Sequence, residues 1–343
     1  MHIRQPVPAD TLGNMSGTAL VTGSTGLIGN AIVRGLVDRG TPVRALVRDL
    51  ERARPMLPDG VELVVGDVTA PATLAAAVDG AHVVFHAAGL PEQFLRDERK
   101  FTAVNVDGTR HLLAAAHQAG VHRVVHTSTM DVFGAPRGGT LVETRADPDP
   151  KPSAYERSKV TAERVVDEFL DRGLDVVVVN PSATFGRSPV LSGLNVFFVR
   201  MLDGKMPMVP PGGLSVVEAD NLAGAHIAAA HKGRTGERYL VADGHVTNAE
   251  LAELVAQVSG AKVPRRAPEA LLKAVAHTTE PLARLLRFRP MLTTGELAFI
   301  LWNVRIDTSK AQAELGFTPL PVAEGVRRTV EWLRSEHPQV SGG

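Results

Sequence analysis

The sequence predicts an α/β fold: a doubly wound parallel sheet, followed by a smaller, mostly helical C-terminal lobe. Three observations carry this expectation. Short β-branched runs alternate with helical stretches through the first half of the chain. One run, 176–179, is four consecutive valines, as befits a strand buried on both faces. A glycine-rich turn, Thr22-Gly23-Ser24-Thr25-Gly26-Leu27-Ile28-Gly29, joins the first run to the first helical pattern.

Taken in order, the strands are expected at 19–22, 43–47, 62–65, 83–86, 124–127 and 176–179. Periodic apolar positions between them predict helices at 29–38, 72–78, 101–119 and 154–172. A polar, proline-containing linker occupies 143–152. After about residue 180 the alternation becomes irregular, with a Gly- and Pro-rich loop at 207–213 and helical stretches at 221–231, 248–259 and 268–286.

The turn at 22–29 has the chemistry of a pyrophosphate site. Gly23 permits the tight strand-to-helix turn, Gly26 lets backbone approach phosphate, and Gly29 lets the helix pack closely on the sheet. The helix start offers free N–H groups and the positive end of its dipole. A lone glycine pattern is weak, but this one follows a strand, opens a helix and lies inside a βαβ unit. The front half is therefore expected to be a Rossmann-type unit. The expected organisation is a disordered extension over 1–14, a dinucleotide-binding domain over 15–180, a substrate-binding lobe over 181–335 with room for strands returning to the main sheet, and a flexible tail over 336–343.

The second strand ends near Arg48, where an acidic residue would take the ribose hydroxyls and an arginine would accommodate a 2′-phosphate. Arg48 comes first in that turn, with Arg44 on the same strand face by alternation, so NADP(H) is the preferred cofactor and NAD(H) the alternative. On the alternative, Arg48 is a solvated loop charge and Asp49 makes the recognition. Asp67, followed by Val68, is placed to meet the adenine edge, or else is a strand-end turn residue.

Tyr155 and Lys159 are four apart and share one face of a helix. A phenol with an ordinary pKa of about 10 is a poor acid or base at neutral pH. A nearby ammonium favours the phenolate and lowers that pKa. The lysine can also hold a nicotinamide ribose. Thr127-Ser128-Thr129, whose last residue lies 26 positions before the tyrosine, brings hydroxyls that could orient a substrate oxygen.

Composition closes off other classes. The 343 residues can bury a sizeable core, and 44% hydrophobic with 22% charged residues is ordinary for a soluble globular protein. Lys+Arg and Asp+Glu are 37 each, so no basic field points to nucleic acid or an anionic membrane. The absence of cysteine excludes disulfides, thiolate metal sites and cysteine nucleophiles, and fits the cytoplasm as the expected compartment. No apolar run approaches the roughly 18 residues of a spanning helix, and residues 1–14 lack the apolar stretch of a secretory signal. His82, His86, His111, His117, His122 and His126 are scattered over separate elements without ligand spacing, so no metal is expected and surface or satisfied-core positions are. The basic amphipathic stretch 282–289 is read as a lobe helix beside the substrate pocket rather than a membrane-surface helix, and Met206, Met208, Phe197 and Phe198 as pocket lining or ordinary core.

In its motifs the chain resembles the extended short-chain dehydrogenase/reductase family, also called the NAD(P)-dependent epimerase/dehydratase family, over about residues 17–335. Besides the glycine turn and the Tyr155/Lys159 pair, the resemblance rests on His86-Ala87-Ala88-Gly89, Asn105-Val106-Asp107-Gly108-Thr109, the segment from His126 to Gly134, Asn180-Pro181-Ser182 and the C-terminal Asp307-Thr308-Ser309-Lys310. It implies that Tyr155 is the general acid/base and Lys159 its pKa-lowering partner. The family's catalytic hydroxyl lies five residues before the closing glycine of its motif, here Thr129 before Gly134, with Ser128 as the adjacent alternative. It further implies cofactor contacts at Gly23, Thr25, Gly26, Leu27, Ile28 and Gly29, phosphate-ribose contacts at Ala87, Ala88 and Gly89, a backbone-holding role for Asn105, and Pro181 and Ser182 beside the nicotinamide. In similar proteins the helices matching 101–119 and 154–172 pair across a two-fold axis, so a homodimer is expected.

Two departures bear on substrate. Many nucleotide-sugar members carry an arginine at the position of Leu214, where its fork binds diphosphate, and the Arg-Pro common after the sixth strand is Asn180-Pro181 here. The segments 204–207 and 194–202 look closer to dihydroflavonol reductase-like and 3β-hydroxysteroid dehydrogenase-like members. The expected function is an NADP(H)-dependent oxidoreductase interconverting a ketone and a secondary alcohol on a largely apolar small molecule. The alternatives are a sugar epimerase or dehydratase with retained NAD(P), and a non-catalytic NAD(P)-binding regulatory protein.

Overall fold

The computed structural model describes residues 17–91, 95, 97–134, 140–143, 153–286, 301 and 303–336. The expected N-terminal extension, the C-terminal tail beyond Glu336, most of the 143–152 linker and the end of the 282–289 stretch lie outside the described residues.

The front half alternates strand and helix: β1 (Thr18–Thr22), α1 (Leu27–Val37), β2 (Val43–Val47), α2 (Leu50–Ala53), β3 (Glu62–Val65), α3 (Leu74–Val78), β4 (Ala81–His86), α4 (Arg99–Phe101), α5 (Gly108–Gln118), β5 (Arg123–Thr127), the short β6 (Thr140–Leu141), α6 (Ala154–Leu170) and β7 (Val176–Pro181). The back half runs β8 (Ala183–Phe185), α7 (Asn195–Leu202), β9 (Met208–Val209), β10 (Gly213–Glu218), α8 (Ala219–Lys232), β11 (Arg238–Val241), β12 (Gly244–Thr247), α9 (Asn248–Ser259), β13 (Arg265–Arg266), α10 (Glu269–Leu286), β14 (Arg305–Ile306) and a last helix, Val322–Glu336.

The main sheet has seven parallel strands in the order β11-β7-β5-β4-β1-β2-β3, with β4 central and β1 beside it. Alternate strand residues face opposite layers. Val21, Phe85, Val125, Val177 and Val179 pack with α1 and α8, through Ile32, Leu36, Leu222 and Ile227. Leu20, Val84, Val124 and Val178 pack on the other face with Leu74 of α3, Leu112 and Leu113 of α5, and Val165 and Phe169 of α6. That is why Val176 to Val179 carries no polar residue: both faces are covered, and each valine removed from water contributes roughly 1.5 kcal/mol or more. β11 comes from beyond residue 230 and completes the edge next to β7.

The stretch expected as one helix over 101–119 is interrupted. A π-helical segment, Thr102–Asp107, separates α4 from α5. The extra residue per turn lets Asn105 sit buried where its side chain reaches the loop after β4.

The C-terminal lobe combines helices α7 and α9 with a three-stranded sheet, β12-β10-β8. Its core is formed by Phe185, Phe198, Met201, Val216, Leu251 and Leu333, with the rings of Phe185 and Phe198 stacked at 5.3 Å. Phe197 and Met206 pack against this core and Met208 is exposed. A capping box between Thr247 and Glu250 starts α9, and Gly260, in the left-handed region, ends it. Among the described residues no helix is long and apolar enough to cross a membrane.

Among the described residues three imidazoles are fully buried. His86 bonds Thr22 Oγ1 at 2.8 Å and Thr109 Oγ1 at 3.0 Å; His226 bonds Thr127 Oγ1 at 2.9 Å and Leu222 O at 2.9 Å. His126 has no hydrogen-bond partner at either ring nitrogen among the described residues. Burial pushes His86 down to about 3 and His226 down to about 4, and holds His126 well below its ordinary value; the Lys159 charge adds to the effect at His86 and His126. An unfolded histidine takes up a proton near pH 6.5, and these three cannot while folded. Stability is therefore full above that pH and falls below it, by about 1.4 kcal/mol per histidine per pH unit, until the folded-state values are reached. The melting temperature is expected to hold from pH 8 to 7 and to drop steeply between pH 6 and 4, less so in His126→Met. An unchanged melting temperature from pH 7 to 5 would contradict this.

Candidate functional site

The glycine turn closes directly onto the loop after β4. Gly23 has φ +67°, and a Cβ there would lie 2.6 Å from Ala87 O and 2.7 Å from Ala88 N. A Cβ on Gly29 would lie 2.2 Å from Gly23 O. The turn is held by Gly26 N donating to Gly23 O at 2.9 Å. α1 then begins with no side-chain cap and no acidic residue in its first turn, with Thr25 and Ile28 half-buried and Leu27 buried. Backbone donors without a side-chain cap, at the positive end of a helix dipole, suit a diphosphate. Thr22 Oγ1 accepts from Ala88 N at 3.2 Å, tying the two loops together. Asn105 Oδ1 accepts from Leu90 N at 2.8 Å, and its Nδ2 donates to Ser158 Oγ at 2.9 Å, so one buried amide links the Ala87–Gly89 loop to α6. The residues present therefore fit a dinucleotide. Ser182 Oγ is buried without a hydrogen-bond partner among the described residues, next to buried Pro181.

At the end of β2 the two arginines part company. Arg48 is exposed, with no hydrogen-bond or ion-pair partner among the described residues. Asp49 is engaged, its carboxylate accepting from Arg52 N at 3.1 Å to cap α2. Arg44 lies toward the opposite end of the strand, donating to Glu62 Oε2 at 2.9 Å and Asp79 O at 2.6 Å. Alternation identifies a strand face but not a strand end, so Arg44 and Arg48 share a face of β2 and sit at opposite ends of it. Asp67 is half-buried; its Oδ1 accepts from Thr69 N and Thr69 Oγ1, both at 2.8 Å, and Val68 beside it is buried.

α6 starts with a capping box between Ser153 and Glu156, which fixes the helix one residue before Tyr155. Tyr155 and Lys159 both lie on the buried face. The Tyr155 ring meets Phe101 edge-on at 6.3 Å between centroids. Lys159 Nζ donates to Thr127 O at 2.9 Å. Burial pushes Lys159 down to about 8, opposed by the carboxylates of Glu163 and Asp131. Thr129 opens a short turn after β5, its Oγ1 donating to Asp131 Oδ2 at 2.9 Å. Ser128 points elsewhere: its hydroxyl donates to Glu163 Oε1 at 2.6 Å. The two hydroxyls left as alternatives by the sequence thus have different environments.

Glu163 and Arg238 escape the sequence reading, and Asn180 enters it only as a motif residue and a departure bearing on substrate. Only Glu163 had a signal, its position four residues after Lys159 on the same face. Among the described residues no group of three or more His, Asp or Glu side chains is arranged to hold a metal ion.

A diphosphate-shaped turn at the carboxyl ends of a parallel sheet, with a buried tyrosine and ammonium facing the same edge, is the architecture of an NAD(P)-dependent oxidoreductase. The NAD dependent epimerase/dehydratase family matches residues 19–242, and the chain belongs to that family, within the extended short-chain dehydrogenases/reductases. The sterol demethylase protein B of Methylococcus capsulatus is 32% identical over 324 residues, 92% of this chain and 98% of that protein. A putative dihydroflavonol 4-reductase of Synechocystis sp. is 28% identical, over 94% of this chain and 96% of that protein. Among solved structures, the dTDP-glucose 4,6-dehydratase DesIV of Streptomyces venezuelae, with NAD and TYD bound, superposes with a TM-score of 0.77 at 26% identity, over 94% of this chain and 98% of that one.

Proposed function

We propose that the protein is an NADP(H)-dependent oxidoreductase that interconverts a ketone and a secondary alcohol on a largely apolar small molecule. The observation that carries this reading is the seating of Lys159, buried one turn from Tyr155 and tied to the strand whose next residues are Ser128 and Thr129. A bound nicotinamide would supply or accept the hydride. Tyr155 Oη gives its proton to the substrate oxygen in reduction and recovers it in oxidation. The Lys159 ammonium stabilises the phenolate, and Thr129 Oγ1 orients the substrate oxygen. Ser128 and Thr129 each donate to a carboxylate, Glu163 and Asp131; Ser128 forms the buried tie to α6 and supports the turn, and Thr129 turns its proton from Asp131 to the substrate.

The apolar substrate class is supported by Leu214, which packs against the lobe core where an arginine would clasp a nucleotide diphosphate, and by the names of the two relatives, which refer to a sterol and a flavonoid. The dehydratase reading draws on DesIV and on Asp131 beside Thr129. We infer a cytoplasmic homodimer built on α5 and α6, which lie side by side and are joined by the Arg110–Glu168 ion pair.

Exposed Arg48 supports NADP(H), since a 2′-phosphate would find its guanidinium without a competing carboxylate. NADP⁺ is expected to raise the melting temperature more than equimolar NAD⁺, and Arg48→Ser to remove that preference by about tenfold in Kd. Stronger stabilisation by NAD⁺ would refute the assignment. With a panel of apolar ketones, NADPH should be consumed in step with alcohol formed. Substrate conversion without net NADPH consumption would favour the epimerase or dehydratase reading, and binding without turnover the regulatory one.

A further inference from the structure

Glu163 is fully buried, and each of its oxygens is committed. Oε1 accepts from Ser128 Oγ at 2.6 Å and from Asn180 Nδ2 at 2.9 Å, while Oε2 accepts from Arg238 Nε at 2.6 Å. Asn180 Nδ2 also donates to Thr129 O at 3.0 Å. One carboxylate therefore gathers α6, the turn after β5, the end of β7 and the edge strand β11 around the proposed proton-transfer group. A buried charge of this kind is costly unless paired and hydrogen-bonded, and here its partners are a hydroxyl, an amide and a guanidinium brought from three other elements.

We propose that Glu163 is a positioning residue for the reaction, fixing the turn that carries Thr129 against α6 and supplying the counter-charge that keeps Lys159 an ammonium. The inference rests on the proton-transfer reading of Tyr155 and Lys159. Four residues apart on one helix face, Glu163 and Lys159 are neighbours. Facing Lys159 are Tyr155 and Glu163 from its own helix, Asp131 from the turn after β5, His126 from β5 and His86 from β4. The two histidines are neutral, so the carboxylates alone oppose the desolvation of the ammonium. Arg238 stands behind Glu163 and is shared with Asp167, at 2.9 Å, so it keeps a partner when Glu163 is neutralised.

The sign of the effect follows. Removing the Glu163 charge lowers the pH at which Lys159 loses its proton, and the alkaline limb of the pH–rate profile moves to lower pH with it. Glu163→Gln keeps an acceptor for Ser128 and Asn180, and the charge-balanced Glu163→Gln/Arg238→Met variant guards against an unpaired guanidinium. The test follows the Lys159 side chain by 13Cε NMR in the cofactor-free protein, assigned with Lys159→Met, beside the pH–rate profile. The lysine midpoint and the alkaline limb are both expected to fall, by about one pH unit in Glu163→Gln and by less in the double variant. An unchanged midpoint in either folded variant overturns the proposal, as does loss of fold in both, which would make Glu163 a stability element alone. Turnover surviving in Tyr155→Phe would instead strike the proton-transfer reading, leaving the lysine titration to decide this one.

Discussion

Replacing Tyr155 with phenylalanine is expected to reduce turnover by about 10²–10⁴-fold while leaving cofactor affinity within about twofold. Phenylalanine keeps the ring, and so keeps the edge-on contact with Phe101 and the packing on the buried face of α6. Lys159 is anchored on Thr127 O rather than through the tyrosine alone, so the ammonium stays in place. What is lost is a single oxygen. The measurements are kcat with NADPH and the best ketone of the panel, the Kd of NADP⁺ by calorimetry, and the melting temperature. Turnover within a few-fold of the parent would remove Tyr155 from the chemistry and, with it, the reading of Lys159.

Gly29→Ala is expected to weaken cofactor binding by 100-fold or more and to destabilise the fold by about 1–3 kcal/mol. The new methyl would stand 2.2 Å from Gly23 O, 2.6 Å from Gly23 C and 3.0 Å from Ser24 N. All three are backbone atoms, so no rotamer change relieves the clash and the turn must open. Opening it moves the N–H groups that are to meet the diphosphate. Gly224→Ala is the control, because a Cβ there meets nothing within 4 Å and α8 gains a better helix former. That variant should be neutral or stabilised by up to about 1 kcal/mol. Near-parental NADP⁺ affinity in Gly29→Ala would mean the turn is not where the diphosphate binds.

The parts of the fold legible in the sequence were those decided locally. Gly29 is demanded by a contact six residues away, and the Val176 to Val179 run by burial on both faces of one strand. Tyr155 and Lys159 declare themselves by helical spacing. What stayed hidden depends on chain segments far apart. Glu163 acquires its meaning only when Asn180 and Arg238 arrive from β7 and β11. The π segment at Thr102–Asp107 leaves no periodicity signal strong enough to separate it from the helices around it. Arg44 shows the limit of alternation, and His126 the limit of composition: a scattered histidine was expected at the surface or satisfied in the core, and this one is buried with both nitrogens unbonded among the described residues.

The return of β11 to the edge of the main sheet bears on how the chain must be made. During synthesis β1 to β7 emerge first, and β7 stands with one row of backbone amides and carbonyls unpaired until residue 241 clears the ribosome. Its four valines make that interval hazardous, since an apolar unpaired strand is a template for other nascent chains. The seven-stranded sheet thus reaches completion late, when the lobe is already partly translated, so the nucleotide-binding half matures together with the lobe rather than ahead of it.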